Sequence, residues 1–66
     1  MIPIILNGKK ININSEMTIS NLLSVNKIKG SFAIAINMNF IPKNTWNNTK
    51  IKANDNIELI APMQGG

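Results

Sequence analysis

The stretch Ile4-Ile5-Leu6-Asn7-Gly8-Lys9-Lys10-Ile11-Asn12-Ile13-Asn14 decides how this 66-residue chain begins to fold. Ile4 and Leu6 alternate with Ile5, and beyond Asn7-Gly8 the isoleucines at 11 and 13 alternate with Lys10, Asn12 and Asn14. Asn and Gly both accept the positive φ of a two-residue hairpin turn, so an antiparallel strand is expected on either side of them. Pro3 has no N–H to give to a ladder, so the first strand is expected to start near residue 3 or to leave that position unpaired. Working outward, Thr18 is a suitable N-cap for a short helix in which Ile19, Leu22, Leu23 and Val25 are apolar at helical spacing. The capping box is expected to be incomplete, because the third helical residue is Asn21, where Glu or Gln is preferred. Gly30 falls beyond this helix, in a loop with Lys27 and Lys29.

Residues 32–36 form an almost wholly apolar run that stops at Asn37 and resumes at Phe40-Ile41-Pro42, which predicts a second hairpin with a very short connection. Ala33 and Ala35 beside Ile34 and Ile36 predict a closely covered sheet face, since the apolar stripe of the helix needs a sheet to bury it. Residues 43–48 are polar around Trp46, which is either a binding platform or an anchor under an irregular loop, the second being expected. Ile51 starts a brief extended piece, Asn54-Asp55-Asn56 makes a turn, and residues 57–60 read as the last strand. Ile57 and Leu59 share one face of it and Glu58 and Ile60 the other, which leaves Ile60 near solvent and suited to a partner contact.

At 66 residues one domain is expected, spanning 1–66 with residues 62–66 as a flexible tail, and folding would bury only about 60% of the unfolded chain's surface. Stability is then expected to total roughly 3–10 kcal/mol. Leu, Ile, Val and Phe make up 20 of the 66 residues, enough to drive folding into a globular domain. There is no cysteine or histidine, and the only side-chain carboxylates are Glu16, Asp55 and Glu58. The usual parts for acid–base, nucleophilic or metal chemistry are missing, so no enzyme, no metal site and no bound cofactor is expected. The opening Met1-Ile2-Pro3-Ile4-Ile5-Leu6 lacks a basic region, is too short for a signal-peptide core and contains a proline. No membrane association is therefore expected, and the cytoplasm is the expected compartment.

The net charge of +4 comes from seven lysines spread along the chain without one arginine, a pattern expected of a solvated face. Lysine cannot make the bidentate contacts of nucleic-acid readers, and two Phe plus one Trp are a thin stacking platform, so a nucleic-acid partner is not expected. An acidic protein partner suits the charge better, through faster encounter at low salt.

The sequence closes on Gly65-Gly66, which puts a carboxylate at the end of a run without Cβ atoms. Such a backbone passes through narrow channels and takes torsions closed to other residues, as close approach to a nucleotide phosphate requires. Four residues beyond Pro62 reach roughly 13 Å when extended, enough to enter an active-site cleft while the body stays outside. The Gly66 carboxylate is thus the expected reactive group.

The order strand, strand, helix, strand, short strand, strand in this length is that of an α+β, ubiquitin-like β-grasp: a mixed four- to five-stranded sheet with one helix packed across it. Ala33-Ile34-Ala35-Ile36-Asn37, Ile41-Pro42 with Trp46 four residues on, Asp55-Asn56-Ile57 and the closing Gly65-Gly66 together resemble the ThiS family, the sulfur carriers of thiazole formation in thiamin biosynthesis. The resemblance spans the chain and is most specific from Ala33 onward. Met63 and Gln64 depart from the small or β-branched residues expected before the glycines. The resemblance implies that a ThiF-like adenylating enzyme uses ATP and Mg²⁺ to convert the Gly66 carboxylate to an acyl-adenylate. A persulfide donor such as a cysteine desulfurase system then makes a thiocarboxylate there, which a ThiG-like thiazole synthase takes as its sulfur source. In that cycle Gly65 and Gln64 thread the adenylating enzyme, and Met63 and Ile60 contact partners. The alternatives are a MoaD-like carrier for molybdopterin synthesis, a non-catalytic β-grasp binding module, or a small basic nucleic-acid-binding domain.

Overall fold

A computed structural model describes residues 1–28 and 30–61. Strands β1 (Ile2–Leu6) and β2 (Lys9–Ile13) form an antiparallel hairpin in which Ile4 faces Ile11 and Leu6 faces Lys9. Asn7 and Gly8 turn it with φ of 49° and 81°, the paired positive torsions that give this dipeptide its hairpin preference. Pro3 lies inside β1 opposite Asn12, so the strand starts one residue ahead of the proline. The position tolerates it because pairing on the other side of β1 begins only at Ile5, and the Pro3 carbonyl accepts the Asn54 N–H at 2.7 Å.

Helix α1 (Ile19–Val25) is entered by Thr18, whose hydroxyl accepts the Asn21 N–H at 3.2 Å while Asn21 Oδ1 accepts the Thr18 N–H at 3.2 Å. The capping box is therefore complete, contrary to the expectation from its missing Glu: the shorter amide still reaches. The Ile19 and Ser20 N–H groups donate to the carbonyls of Thr49 and Trp46, so the loop after the sheet's second hairpin supplies acceptors that a helix start lacks internally. At the other end the Ile28 N–H returns to Leu23 O and the Lys27 N–H to Ser24 O, with Lys27 at φ 55°. This is a Schellman turn with lysine in the left-handed position, ahead of Gly30. Ile19, Leu22 and Leu23 are buried, whereas Val25 is 69% exposed and falls off the apolar stripe.

β3 (Ala33–Ile36) and β4 (Asn39–Ile41) form the second hairpin, turned by Asn37 and Met38 at φ 52° and 71°. A 3₁₀ turn (Lys43–Thr45) then leads to Trp46, and β5 (Asn56–Ile60) enters the middle of the sheet. The strand order is β2-β1-β5-β3-β4, with β5 parallel to β1 and antiparallel to β3. Among the described residues, a mixed five-stranded sheet with one α-helix makes the β-grasp arrangement that the sequence predicts.

Period-two alternation sorts the sheet residues. Ile4, Ile13, Ile34, Ile36 and Ile57 join Ile19, Leu22 and Leu23 of α1 in the core, together with Trp46 and Ile51. Each fully buried aliphatic here contributes about 1.5–3 kcal/mol by leaving water. Ala33 and Ala35 face the other side, so it is the isoleucines, not the alanines, that meet the helix. The surface charges add little: the ion pair between Lys50 and Glu16, 2.9 Å long, joins two well-exposed side chains and is worth about 0–1 kcal/mol.

Candidate functional site

The strand that carries the chain toward its C-terminus sits at the centre of the sheet. Ile57 and Leu59 point to the core side, while Glu58 and Ile60 point to the side away from α1, as the alternation in the sequence predicts. Ile60 is opposite Ala33 and is 53% exposed; Ala35 is flanked by Glu58 on one side and by Phe40, 67% exposed, on the other. Ala33, small beside Ile60 and Phe40, leaves a depression. It opens into an apolar cleft of about 370 Å³ bounded by Phe32, Ala33, Phe40, Trp46, Ile60 and Ala61, with Lys43 as the cation on its rim.

The cleft wall is held rigidly. Trp46 is buried, its ring stacks on Phe32 with centroids 5.7 Å apart and planes 13° from parallel, and its indole N–H donates to the Ile41 carbonyl at 3.0 Å. Trp46 is thus the loop anchor that its position implied, and one edge of it also lines the cleft. Satisfying the indole N–H inside the protein leaves only apolar surface to offer a visitor.

Of the residues singled out in the sequence, Ile60 lies on this cleft, and Ala61, the last described residue, continues from it. Met63, Gln64, Gly65 and Gly66 lie outside the described residues. In the sequence, Phe32, Ala33 and Phe40 are legible only as strand residues. The alternation of small and large side chains in 32–36 is the signal that marks a groove there, but its partner across the cleft, Ile60, is contributed by a strand far along the chain. Among the described residues no group of three or more His, Cys, Asp or Glu gathers in one place, and no helix is long and apolar enough to cross a membrane. The arrangement places an apolar cleft beside Ala61, the last described residue.

Comparison with known proteins gives the following. The family model described as the ThiS family matches residues 4–66. Among solved structures, the thiamine biosynthesis protein ThiS of Geobacter metallireducens superposes with a TM-score of 0.86, covering 98% of this chain and 100% of its own, at 22% sequence identity. At that identity the likeness speaks for the fold. Among curated proteins, none matches this chain. With the family model covering all but the first three residues, the chain belongs to the ThiS family.

Proposed function

We propose that this chain carries sulfur as a thiocarboxylate on Gly66 for thiazole formation. The coarser role, a sulfur carrier in thiamine biosynthesis, follows from membership of the ThiS family. The observation that supports the finer reading is that the family match runs through residue 66 and so takes in Gly65 and Gly66. A carboxylate is a poor electrophile. Transfer of AMP from ATP, with release of pyrophosphate, turns it into a mixed anhydride that a persulfide sulfur attacks, expelling AMP. A second thiol then cleaves the S–S bond and leaves the thiocarboxylate. None of these steps asks for a catalytic side chain in the carrier. The ThiF-like adenylating enzyme, the persulfide donor and the ThiG-like synthase supply the chemistry, and the carrier supplies a reactive terminus and an address.

The cleft beside Ile60 is the address in this reading. Exposed Phe40 and Ile60 beside Ala33 offer apolar area to a partner, and the +4 charge favours encounter with an acidic one. Residues 62–66, with Gly65 and Gln64 next to the terminus, then lead from the docked body to the partner's nucleotide, and Met63 extends the apolar contact. The test is intact-mass measurement after incubation with a cognate adenylating enzyme, MgATP and a persulfide source. A gain of about 16 Da, oxygen exchanged for sulfur, is expected. A chain extended by one residue after Gly66 should fold normally and gain nothing. Sulfur acceptance by the extended chain would mean that another group is the acceptor. Turnover with a molybdopterin synthase large subunit in place of a thiazole synthase would move the assignment to the MoaD-like pathway.

A further inference from the structure

β5 is inserted between two hairpins, and each hairpin turn gives it a side-chain acceptor. At its start, Asn37 Oδ1 accepts the Asn56 N–H at 2.9 Å. Near its end, Asn7 Oδ1 accepts the Leu59 N–H at 2.9 Å, across 52 residues of sequence. Both asparagines are the first residue of a turn with two successive positive φ values, 49° for Asn7 and 52° for Asn37. Asparagine is among the few side chains that tolerate this backbone and also carry an acceptor, so one residue turns the hairpin and clips the neighbouring strand.

The two clips are not equivalent. β1 pairs with β5 only at Ile5↔Asn56 and Leu6↔Ile57, after which β1 turns away. The Asn7 N–H still donates to Ile57 O at 2.9 Å. Beyond that point the β1 backbone has nothing left for the last residues of β5, while on the opposite edge β3 stays paired as far as Ala33↔Ile60. The Asn7 side chain takes the place of the missing strand. Ile60 and Ala61, on the cleft and at the root of residues 62–66, follow directly from the residue it holds.

We infer that Asn7 is a positioning residue for the carrier terminus: its amide oxygen, by holding Leu59, fixes the end of β5 against the sheet so that the cleft and the segment leading to Gly66 are presented to the adenylating partner together. This rests on the carrier reading given above. A strand end fixed in advance loses less freedom on docking, so the clip acts on the binding of the carrier and not on the chemical step.

The test uses the full-length chain with Asn7→Gly, which keeps the turn torsions and removes the acceptor, and Asn7→Asp, which keeps both. Asn37→Gly makes the matching cut at the far end of β5. Two readouts are taken: amide hydrogen exchange by NMR, and ATP–pyrophosphate exchange by the cognate adenylating enzyme as a function of carrier concentration. In Asn7→Gly the Leu59 amide is expected to exchange about tenfold faster, and the KM for carrier to rise about threefold to tenfold with kcat unchanged. Asn7→Asp restores both values. Asn37→Gly speeds exchange at Asn56 and leaves KM alone, which a general loss of stability would not do. An unchanged Leu59 amide in Asn7→Gly overturns the clip. Faster exchange with a wild-type KM overturns its role in presentation. A wild-type chain that supports no pyrophosphate exchange sinks the carrier reading itself, and the amide data still decide whether Asn7 holds β5.

Discussion

Met38 is the second residue of a turn whose torsions suit glycine, yet it has φ 71° and a side chain 88% exposed. A side chain in left-handed backbone costs roughly 1–2 kcal/mol, while glycine's extra freedom in the unfolded chain costs about 0.4–1 kcal/mol, so strain relief wins. Met38→Gly is expected to stabilise the protein by roughly 0.5–1 kcal/mol, raising the thermal midpoint by about 2–8 °C. An unchanged or lower midpoint would show that Met38 makes a contact worth more than its strain. The same contrast explains what is legible at this scale. Asn7-Gly8 announces its turn because both residue types prefer positive φ, whereas Asn37-Met38 adopts the same turn with only half the signature. Only the shortness of the connection between two apolar runs betrays it in the sequence.

At the scale of elements, α1 shows how far local rules reach. Its start is legible in Thr18 and its buried stripe in Ile19, Leu22 and Leu23, all of them residues whose role is set within one or two turns. Its end is not. Gly30 suggests a loop, but the reversal is made by Lys27, because the carbonyls of Leu23 and Ser24 are best satisfied by the N–H groups of Ile28 and Lys27 in a Schellman turn. Lys27→Gly should therefore stabilise by roughly 0.5–1 kcal/mol, read as a higher denaturant midpoint at constant m-value. A fall in midpoint would mean that the lysine stem covers apolar surface that the turn leaves open. The helix start offers the reverse case. Asn21 looks too short to close a capping box, yet the structure shows that it does, since the geometry requires only an acceptor within reach of the Thr18 N–H.

For the molecule as a whole, core and cleft meet at Trp46, which belongs to both. Ile34 lies in the central layer with no exposed surface, and Ile34→Ala is expected to cost about 2–5 kcal/mol, a large part of what a chain this short can supply. Chemical denaturation should show it; a cost below about 1 kcal/mol would mean that the small core collapses around the gap. Phe40→Ser tests the opposite surface. Because Phe40 is 67% exposed, its loss should change stability by less than about 1 kcal/mol while raising the KM for carrier in the adenylation reaction roughly tenfold. Equal adenylation kinetics with this variant would remove the cleft from the interface. What the sequence alone determined is what rests on neighbours along the chain: the two hairpins, the short amphipathic helix, the alternation that splits β5 into a buried and an open face, and the diglycine end that carries the carrier reading. Tertiary structure decided the rest. The cleft is assembled from residues 32, 33, 40, 46, 60 and 61, and Leu59 is held by a side chain 52 residues away. Local periodicity encodes which face of a strand is apolar but not which strand lies beside it, and only the insertion of β5 between β1 and β3 brings those residues together.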